Sequence, residues 1–271
     1  MMITIEAMPI TIATWNVNGI RARSEQFLAW LAQDRPSIVC TQEIKASPSQ
    51  LSEEICSLEG YWCYWHGAGG YSGVGLNLRR DLFPEEPVFR HPDFDHETRI
   101  VTAEMGDLLV ASVYVPNGGK DFAAKLTFLE KMRDWAGEVQ RQGKRLLLCG
   151  DLNVTRTDQD VHPKERKPGI IGQRREEREL FAELLAQGDL VDVARALDPD
   201  NDGLFTWWAP WRNMRQRNIG WRIDYILAST PLAHRATASR VLVDVGTSDH
   251  APVVAEIAGD SKDQSRRPWS P

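Results

Sequence analysis

Leu146-Leu147-Leu148-Cys149-Gly150-Asp151-Leu152-Asn153 is an apolar run of strand length that stops at a glycine, followed by an acid and an amide two residues apart. Open α/β sheets carry their chemistry at the ends of such strands. The same pattern also makes an ordinary turn, so on its own the stretch leaves Asp151 divided between turn and site. Its neighbours along the chain repeat the pattern. Residues 10–15 read as a strand ending in Trp15-Asn16-Val17-Asn18-Gly19, and residues 38–41 as one that delivers Gln42 and Glu43. Residues 108–114 end in Tyr114-Val115-Pro116-Asn117-Gly118, so polar groups follow strand after strand.

Further from this stretch, residues 100–105 and 108–114 predict an antiparallel pair joined by Gly106-Asp107, the strongest hairpin signal in the chain. Ser24 reads as the N-cap of a helix over 24–32, and a short helix falls near 51–58. Strands over 61–65 and 74–78 enclose the glycine-rich turn 67–73. That turn lacks a Gly-Lys-Ser/Thr ending and leads into a strand, which favours a tight connection over substrate contact. Pro84, Pro87 and Pro92 mark a loop. A long amphipathic helix over 122–141 points Phe122, Leu126, Leu129 and Val139 at the core. Residues 155–172 form a loop carrying Arg156, Lys164, Arg166 and Lys167. A charged helix follows near 174–187, with Glu177 and Arg178 on a solvated face. The remaining strands fall at 205–208, 222–227, 240–245 and 252–257. Asp224 lies near the start of the second, and Thr247-Ser248-Asp249-His250 follows the third.

The 271 residues, 42% hydrophobic and 26% charged, suffice for one large core. No apolar run is long enough to span a membrane, and no secretory signal is read at residues 1–9, so the cytoplasm is the expected compartment. Cys40, Cys56, Cys63 and Cys149 have neither metal-finger nor redox spacing and read as buried free thiols. The net charge of −6 argues against a simple nucleic-acid coat. It leaves room for a local basic stretch, residues 211–222, with Arg212, Arg215, Arg217 and Arg222. One domain over 1–259 with a flexible tail over 260–271 is expected, built from two packed sheets with helices outside.

Asn16, Asn18, Glu43, Tyr114, Asp151, Asn153, Asp224, Asp249 and His250 all fall at or near strand ends. Brought together, they would make a hard, oxygen-rich site with a histidine beside it and no thiolate, which suits Mg²⁺ or Mn²⁺ and phosphodiester hydrolysis. Each has a plainer alternative. Asn16 could serve a turn, Asp224 could pair with Arg222, and Asp249-His250 could cap a helix.

In order, Trp15-Asn16-Val17-Asn18-Gly19, Gln42-Glu43, Gly70-Tyr71-Ser72-Gly73-Val74-Gly75, Tyr114-Val115-Pro116-Asn117, Gly150-Asp151-Leu152-Asn153, Gly220-Trp221-Arg222-Ile223-Asp224-Tyr225 and Ser248-Asp249-His250 match a known pattern. The chain resembles the exonuclease III type of apurinic/apyrimidinic endonuclease, within the endonuclease/exonuclease/phosphatase superfamily, over residues 11–257. The resemblance implies a four-layered α/β sandwich of two packed mixed β-sheets flanked by helices. It also implies Mg²⁺-dependent cleavage, with Mn²⁺ as a substitute, on the 5′ side of abasic sites.

By the same resemblance, Glu43, Asn18 and Asp249 stand on the metal side, and Asp151 activates water with Asn153 and Asn16 positioning it. Asp224 orients His250, and Tyr114 meets the phosphate or leaving group. Trp207, Trp221 and Ile223 line the pocket for a base-less sugar. Trp211, Arg212, Asn117, Lys120 and Tyr71 meet the DNA, and Trp208 is divided between pocket and core. The implied partner is duplex DNA with abasic or blocked 3′ ends, bound by a monomer. Asn18 stands where some relatives have aspartate, and Lys120 and Trp211 where vertebrate relatives have arginine and methionine. Two other readings remain: a different phosphodiesterase of the superfamily, or a nucleic-acid-binding protein that keeps the fold without catalysis.

Overall fold

The computed structural model describes residues 8–167 and 169–259; the leader at 1–7 and the expected tail at 260–271 lie outside the described residues. Strands β1 (Ile10–Asn16), β2 (Ile38–Gln42), β3 (Tyr61–His66), β4 (Val74–Arg79), β11 (Ala236–Val241) and β12 (Val253–Ile257) form one sheet, in the order β11-β12-β1-β2-β4-β3. The other contains β5 (Val88–Arg90), β6 (Ile100–Met105), β7 (Leu108–Tyr114), β8 (Arg145–Asp151), β9 (Leu190–Asp192) and β10 (Asp224–Ser229), in the order β5-β6-β7-β8-β10-β9. β1 runs parallel to β2 and β7 parallel to β8, while the other neighbours are antiparallel, so both sheets are mixed.

The central strands read as continuous apolar runs because both of their faces are covered. Between the sheets lie Ile12, Cys40, Val110, Leu147, Cys149 and Ile226. Outside the first sheet, helix α1 (Ser24–Asp34) packs Phe27 and Trp30 against Trp15. Outside the second, α3 (Phe122–Arg141) and α4 (Arg175–Gln187) pack Phe128, Met132, Phe181 and Leu184 against Ala111, Leu148 and Leu227. Helix, sheet, sheet and helix make the four expected layers. Each fully buried side chain of this size contributes about 1.5–3 kcal/mol.

Several local readings change. Ser24 begins α1 instead of capping it, because a 3-10 turn over Ile20–Arg23 runs directly into the helix. The short helix narrows to α2 (Glu53–Cys56). α3 has the predicted bounds, and its N-cap Asp121 accepts from the Ala124 amide at 2.9 Å. Its inward face is led by Lys125, Phe128, Leu129 and Met132, while Phe122 and Leu126 are only half-buried. Residues 205–208 form no strand; Trp207 makes isolated bridges to Trp221 and His250. The strand placed at 240–245 is β11, which ends at Val241, so Asp249 and His250 sit on the loop that leads to β12. The short β5, β9, α5 (Val193–Leu197) and α6 (Thr230–Ala233) have no periodicity to announce them.

Candidate active site

Strand register builds half of the site. Tyr114, Asp151 and Asp224 stand side by side at the ends of β7, β8 and β10. Gly150 lets β7 and β8 close: a Cβ there would lie 1.9 Å from the Val113 carbonyl oxygen. The other half comes from the first sheet, whose β1 and β2 end together at Asn16 and Gln42. Glu43 follows with a left-handed backbone, φ 51°.

One amide joins Glu43 to Asp151 across the two halves. Asn16 Nδ2 donates to Asp151 Oδ2 at 2.9 Å and to Glu43 Oε1 at 3.0 Å. Asp151 Oδ1 accepts the Asn153 amide at 2.9 Å, and Asn153 Nδ2 donates to the Val115 carbonyl at 2.9 Å. Behind them, His250 Nδ1 faces both Asp224 oxygens at 2.9 and 3.1 Å, and its Nε2 lies 3.9 Å from Asp151 Oδ2. Thr206 fixes Asp224 in turn: its hydroxyl donates to Oδ2 at 2.6 Å and accepts the amides of Ile223 and Asp224.

On the far side, Asn18 Nδ2 and Trp207 Nε1 donate to the two oxygens of Asp249 at 2.8 and 3.0 Å. Lys45 Nζ reaches both Glu43 Oε2 at 2.8 Å and Asn18 Oδ1 at 2.5 Å.

Burial pushes the Asp151 carboxyl up to about 7; His250 opposes the shift, and the acids Asp224 and Glu43 add to it. Burial favours a neutral His250, yet Asp224, then Asp151 and Asp249, raise its pKa to about 10. The ring is therefore a cation near neutral pH and directs Nε2–H at the cleft. Burial also works against charge on Glu43 and Asp249. Glu43 is held below the usual carboxylate range by Lys45, Asn16 and His250, and Asp249 by His250, Trp207 and Asn18. Burial, with Glu43 and Asp151 nearby, raises Tyr114 and keeps its phenol protonated.

These groups floor a cleft of about 330 Å³ whose walls include Trp207, Trp221 and Ile223. Oxygen atoms of Asp151 and Asp224 and a His250 nitrogen lie within 4.8 Å of one another, a group able to hold a metal ion. A protonated His250 offers no lone pair, so the usable donors there are carboxylates. Glu43, which lines the cleft, and Asn18 gather about the Lys45 ammonium, a second point suited to positive charge. This donor chemistry fits a hard divalent cation.

A model of the endonuclease/exonuclease/phosphatase family matches residues 13–250. The chain belongs to that family. It is 34% identical to recombination repair protein 1 of Drosophila melanogaster over 90% of this chain, although the match spans only 36% of the fly protein. It is 33% identical to an exodeoxyribonuclease of Bacillus subtilis, covering 89% of this chain and 97% of that one. Among solved structures, an AP endonuclease from Archaeoglobus fulgidus superposes with a TM-score of 0.81 at 29% identity, covering 91% of this chain and 98% of the other.

Within this family member, Asn16, Asn18, Glu43, Tyr114, Asp151, Asn153, Asp224, Asp249 and His250 converge, although Asp249 and His250 lie on a loop well past the end of β11 and not directly after a strand. Trp207 and Trp221 pack edge to face, with centroids 5.6 Å apart, beside the buried Ile223. Trp208 is a core residue. Tyr71 accepts from Arg99 Nη2 at 2.8 Å and its ring lies 5.6 Å from Lys120 Nζ, so the glycine-rich turn packs against both of these side chains. Asn117 is exposed, with Oδ1 accepting the Gly119 amide. Trp211 is 60% exposed, next to exposed Arg212.

The basic stretch divides. Arg212 and Arg217 face solvent, Arg215 lies over Trp208, and Arg222 is buried. Arg222 does not pair with Asp224; it binds Asp160 at 2.8 Å and Asp192 at 3.0 and 2.7 Å.

Sequence reading passed over Lys45, Arg99, Thr206 and one ion pair. Lys125 and Glu177 are wholly buried and paired, and Lys125 Nζ donates to the Asn153 carbonyl at 2.7 Å. Glu177 is therefore not on a solvated face; its Oε1 accepts the Gly172 amide at 2.7 Å. The signal was helical spacing: Glu177 precedes Phe181 by four residues and Leu184 by seven, on the stripe that faces the core.

Proposed function

We propose that the protein is a Mg²⁺-dependent DNA-repair phosphodiesterase that cuts duplex DNA on the 5′ side of abasic sites and leaves a 3′ hydroxyl. The observation that carries this reading is the row Glu43–Asn16–Asp151–His250–Asp224, buried except for the half-buried Glu43, lying beside a tryptophan-lined wall. In this reading Asp151 takes the proton of a water attacking phosphorus, a role suited to a carboxyl raised to about 7. Asn16 and Asn153 position water and phosphate. His250, kept protonated by Asp224, donates to the phosphoryl oxygen on which charge builds. Tyr114 donates to the phosphate or to the departing 3′ oxygen. Glu43, with Asp249 and Asn18, would hold Mg²⁺, which when bound polarises the phosphoryl oxygen.

A sugar without a base, rotated out of the duplex, presents a compact apolar face that fits against Trp207, Trp221 and Ile223. Trp211 and Arg212 suit wedging into the helix, and Asn117, Lys120 and Tyr71 suit contact with its backbone. The names of the relatives support a DNA substrate. Incubation with a duplex carrying one abasic analogue should give a single 5′ incision with Mg²⁺ and none with chelator; no cleavage in either condition would sink the proposal. The name of the Bacillus relative favours a second activity at the same site, removal of nucleotides or blocking groups from 3′ ends. A labelled blunt duplex tests it.

A further inference from the structure

A second cluster of metal-binding side chains lies away from the cleft floor, and the proposed reaction does not use it. His66 ends β3, and His91 and Asp95 lie on the loop between β5 and β6. Their ligand atoms lie within 4.8 Å of one another, and all three residues are half-buried. The imidazoles of His66 and His91 stack with centroids 3.8 Å apart. His66 Nε2 meets Asp95 Oδ2 at 2.6 Å.

The orientation of His91 is the informative detail. Its Nδ1 lies 3.2 Å from the Ile100 carbonyl oxygen, which can only accept, so the ring proton sits on Nδ1. Nε2 is left with its lone pair, and the Tyr64 hydroxyl donates to it at 2.9 Å. A backbone carbonyl that fixes one ring nitrogen as donor is the usual support for a histidine whose other nitrogen binds metal. Asp95 is braced in the same way, its Oδ1 accepting the amides of Arg99 and Ile100 at 2.8 and 3.1 Å.

From this arrangement we propose that His66, His91 and Asp95 form a site for a divalent transition ion of the zinc class. Two imidazole nitrogens and one carboxylate oxygen, with water in the fourth position, are a donor set for zinc and too soft and too few for Mg²⁺. Ligand atoms around tetrahedral zinc stand about 3.4 Å apart, so the cluster closes when the His66 ring swings out of its stack on His91, which the Ile100 carbonyl holds in place. The ion displaces the Tyr64 hydroxyl from His91 and the Asp95 oxygen from its bond to His66. It also fastens the loop that carries Arg99, whose guanidinium lies 4.7 Å over the Tyr114 ring and binds Tyr71.

The full-length protein, stripped with chelator and returned to excess Mg²⁺ to saturate the oxygen-rich cleft, is titrated with Zn²⁺ in a calorimeter and with Co²⁺ followed by visible absorption. One equivalent of each is expected, with Co²⁺ absorption of a low-coordinate nitrogen and oxygen site. His91→Gln should weaken Zn²⁺ binding by at least about tenfold, the lower end of what supporting residues alone supply. Tyr64→Phe, which keeps its stacking on Phe89 and removes only the competing hydroxyl, should tighten it. Circular dichroism and Mg²⁺-supported turnover without Zn²⁺ confirm that both variants fold. Zn²⁺ binding unchanged in His91→Gln, or absent from the wild type under excess Mg²⁺, overturns the site.

Discussion

Two buried clusters of charge meet on the three residues Arg222-Ile223-Asp224. Arg222 is tied to Asp160 and Asp192, and Arg195 adds a second cation at 2.9 Å from Asp160. Two residues later, Asp224 faces His250, with Asp151, Glu43 and Asp249 close behind. The first cluster has no acid without a cation, since Arg156 also stands 3.8 Å from Asp192: although burial opposes its charge, Asp160 is held below the usual carboxylate range by Arg222 and Arg195. The second carries more acids than cations, and Asp151 is raised to about 7. Both are buried and both are hydrogen-bonded, so burial does not separate scaffold from chemistry. Unmatched charge does, because it leaves one carboxyl ready to take a proton.

The most forceful way to break the comparison is Asp151→Asn. Turnover should fall about 10²–10⁴-fold, the range for loss of a general base, while duplex binding persists. Stability should move the other way. The folded pKa of Asp151 is raised, so its ionisation costs stability increasingly from the unfolded value of 3.8 up to about 7, and fully above that. In chelator at pH 8 the variant should melt no lower than the wild type; a large drop in Tm would show that Asp151 belongs with the scaffold.

Arg222→Ala makes the opposite move in the first cluster. It takes the two-pronged partner from Asp192 and leaves Asp160 to Arg195, and should cost about 3–5 kcal/mol in denaturant unfolding. At low temperature in saturating Mg²⁺ the folded fraction should still turn over.

A gentler test is Asp224→Asn, read by NMR titration of His250 in chelator. The wild-type ring should titrate near 10, and the variant should fall toward the ordinary 6.5, because the strongest charge raising it is gone. A folded pKa above the unfolded one stabilises fully below 6.5 and is lost as pH rises through 10. The stability gap between wild type and variant should therefore be widest in mild acid and narrow toward pH 10.

The smallest effect is expected from Asn18→Asp, which adds one more acid to the unbalanced cluster, 2.8 Å from Asp249. Without metal it should lower Tm slightly. With Mg²⁺ it should restore Tm and tighten the ion's apparent affinity several-fold, by the added attraction.

The sequence made the site legible where chemistry and strand ends coincide. Asn16, Glu43 and Asp151 follow apolar runs and Asp224 opens one, and their convergence needs only the two sheets to stack. The layers were legible for the same reason, since β7, β8 and α3 have strong patterns. Thr206 was not, because its segment makes isolated bridges and no strand, so no alternation marks it. Lys125 and Glu177 were hidden by type: lysine and glutamate usually face water, and only their spacing placed them inward. Arg222 misled for a related reason. Its nearest acid in sequence is Asp224, but side chains two apart on an extended segment share a face only where the backbone is regular, and Arg222 lies just before β10 begins. The His66, His91 and Asp95 cluster joins a strand end to a loop whose fold no local pattern specifies.

The order in which the chain delivers its parts has one more consequence. Glu43 and Asn16 emerge early, Asp151 and Asp224 later, and His250 only on the loop before β12, the strand that slots in beside β1. The cleft floor is therefore incomplete until the last of these segments has been made and β12 has paired with β1, and a chain broken off short of His250 lacks the imidazole that faces Asp224. For a protein proposed to sever DNA, completion of the cleft is tied to closure of the first sheet.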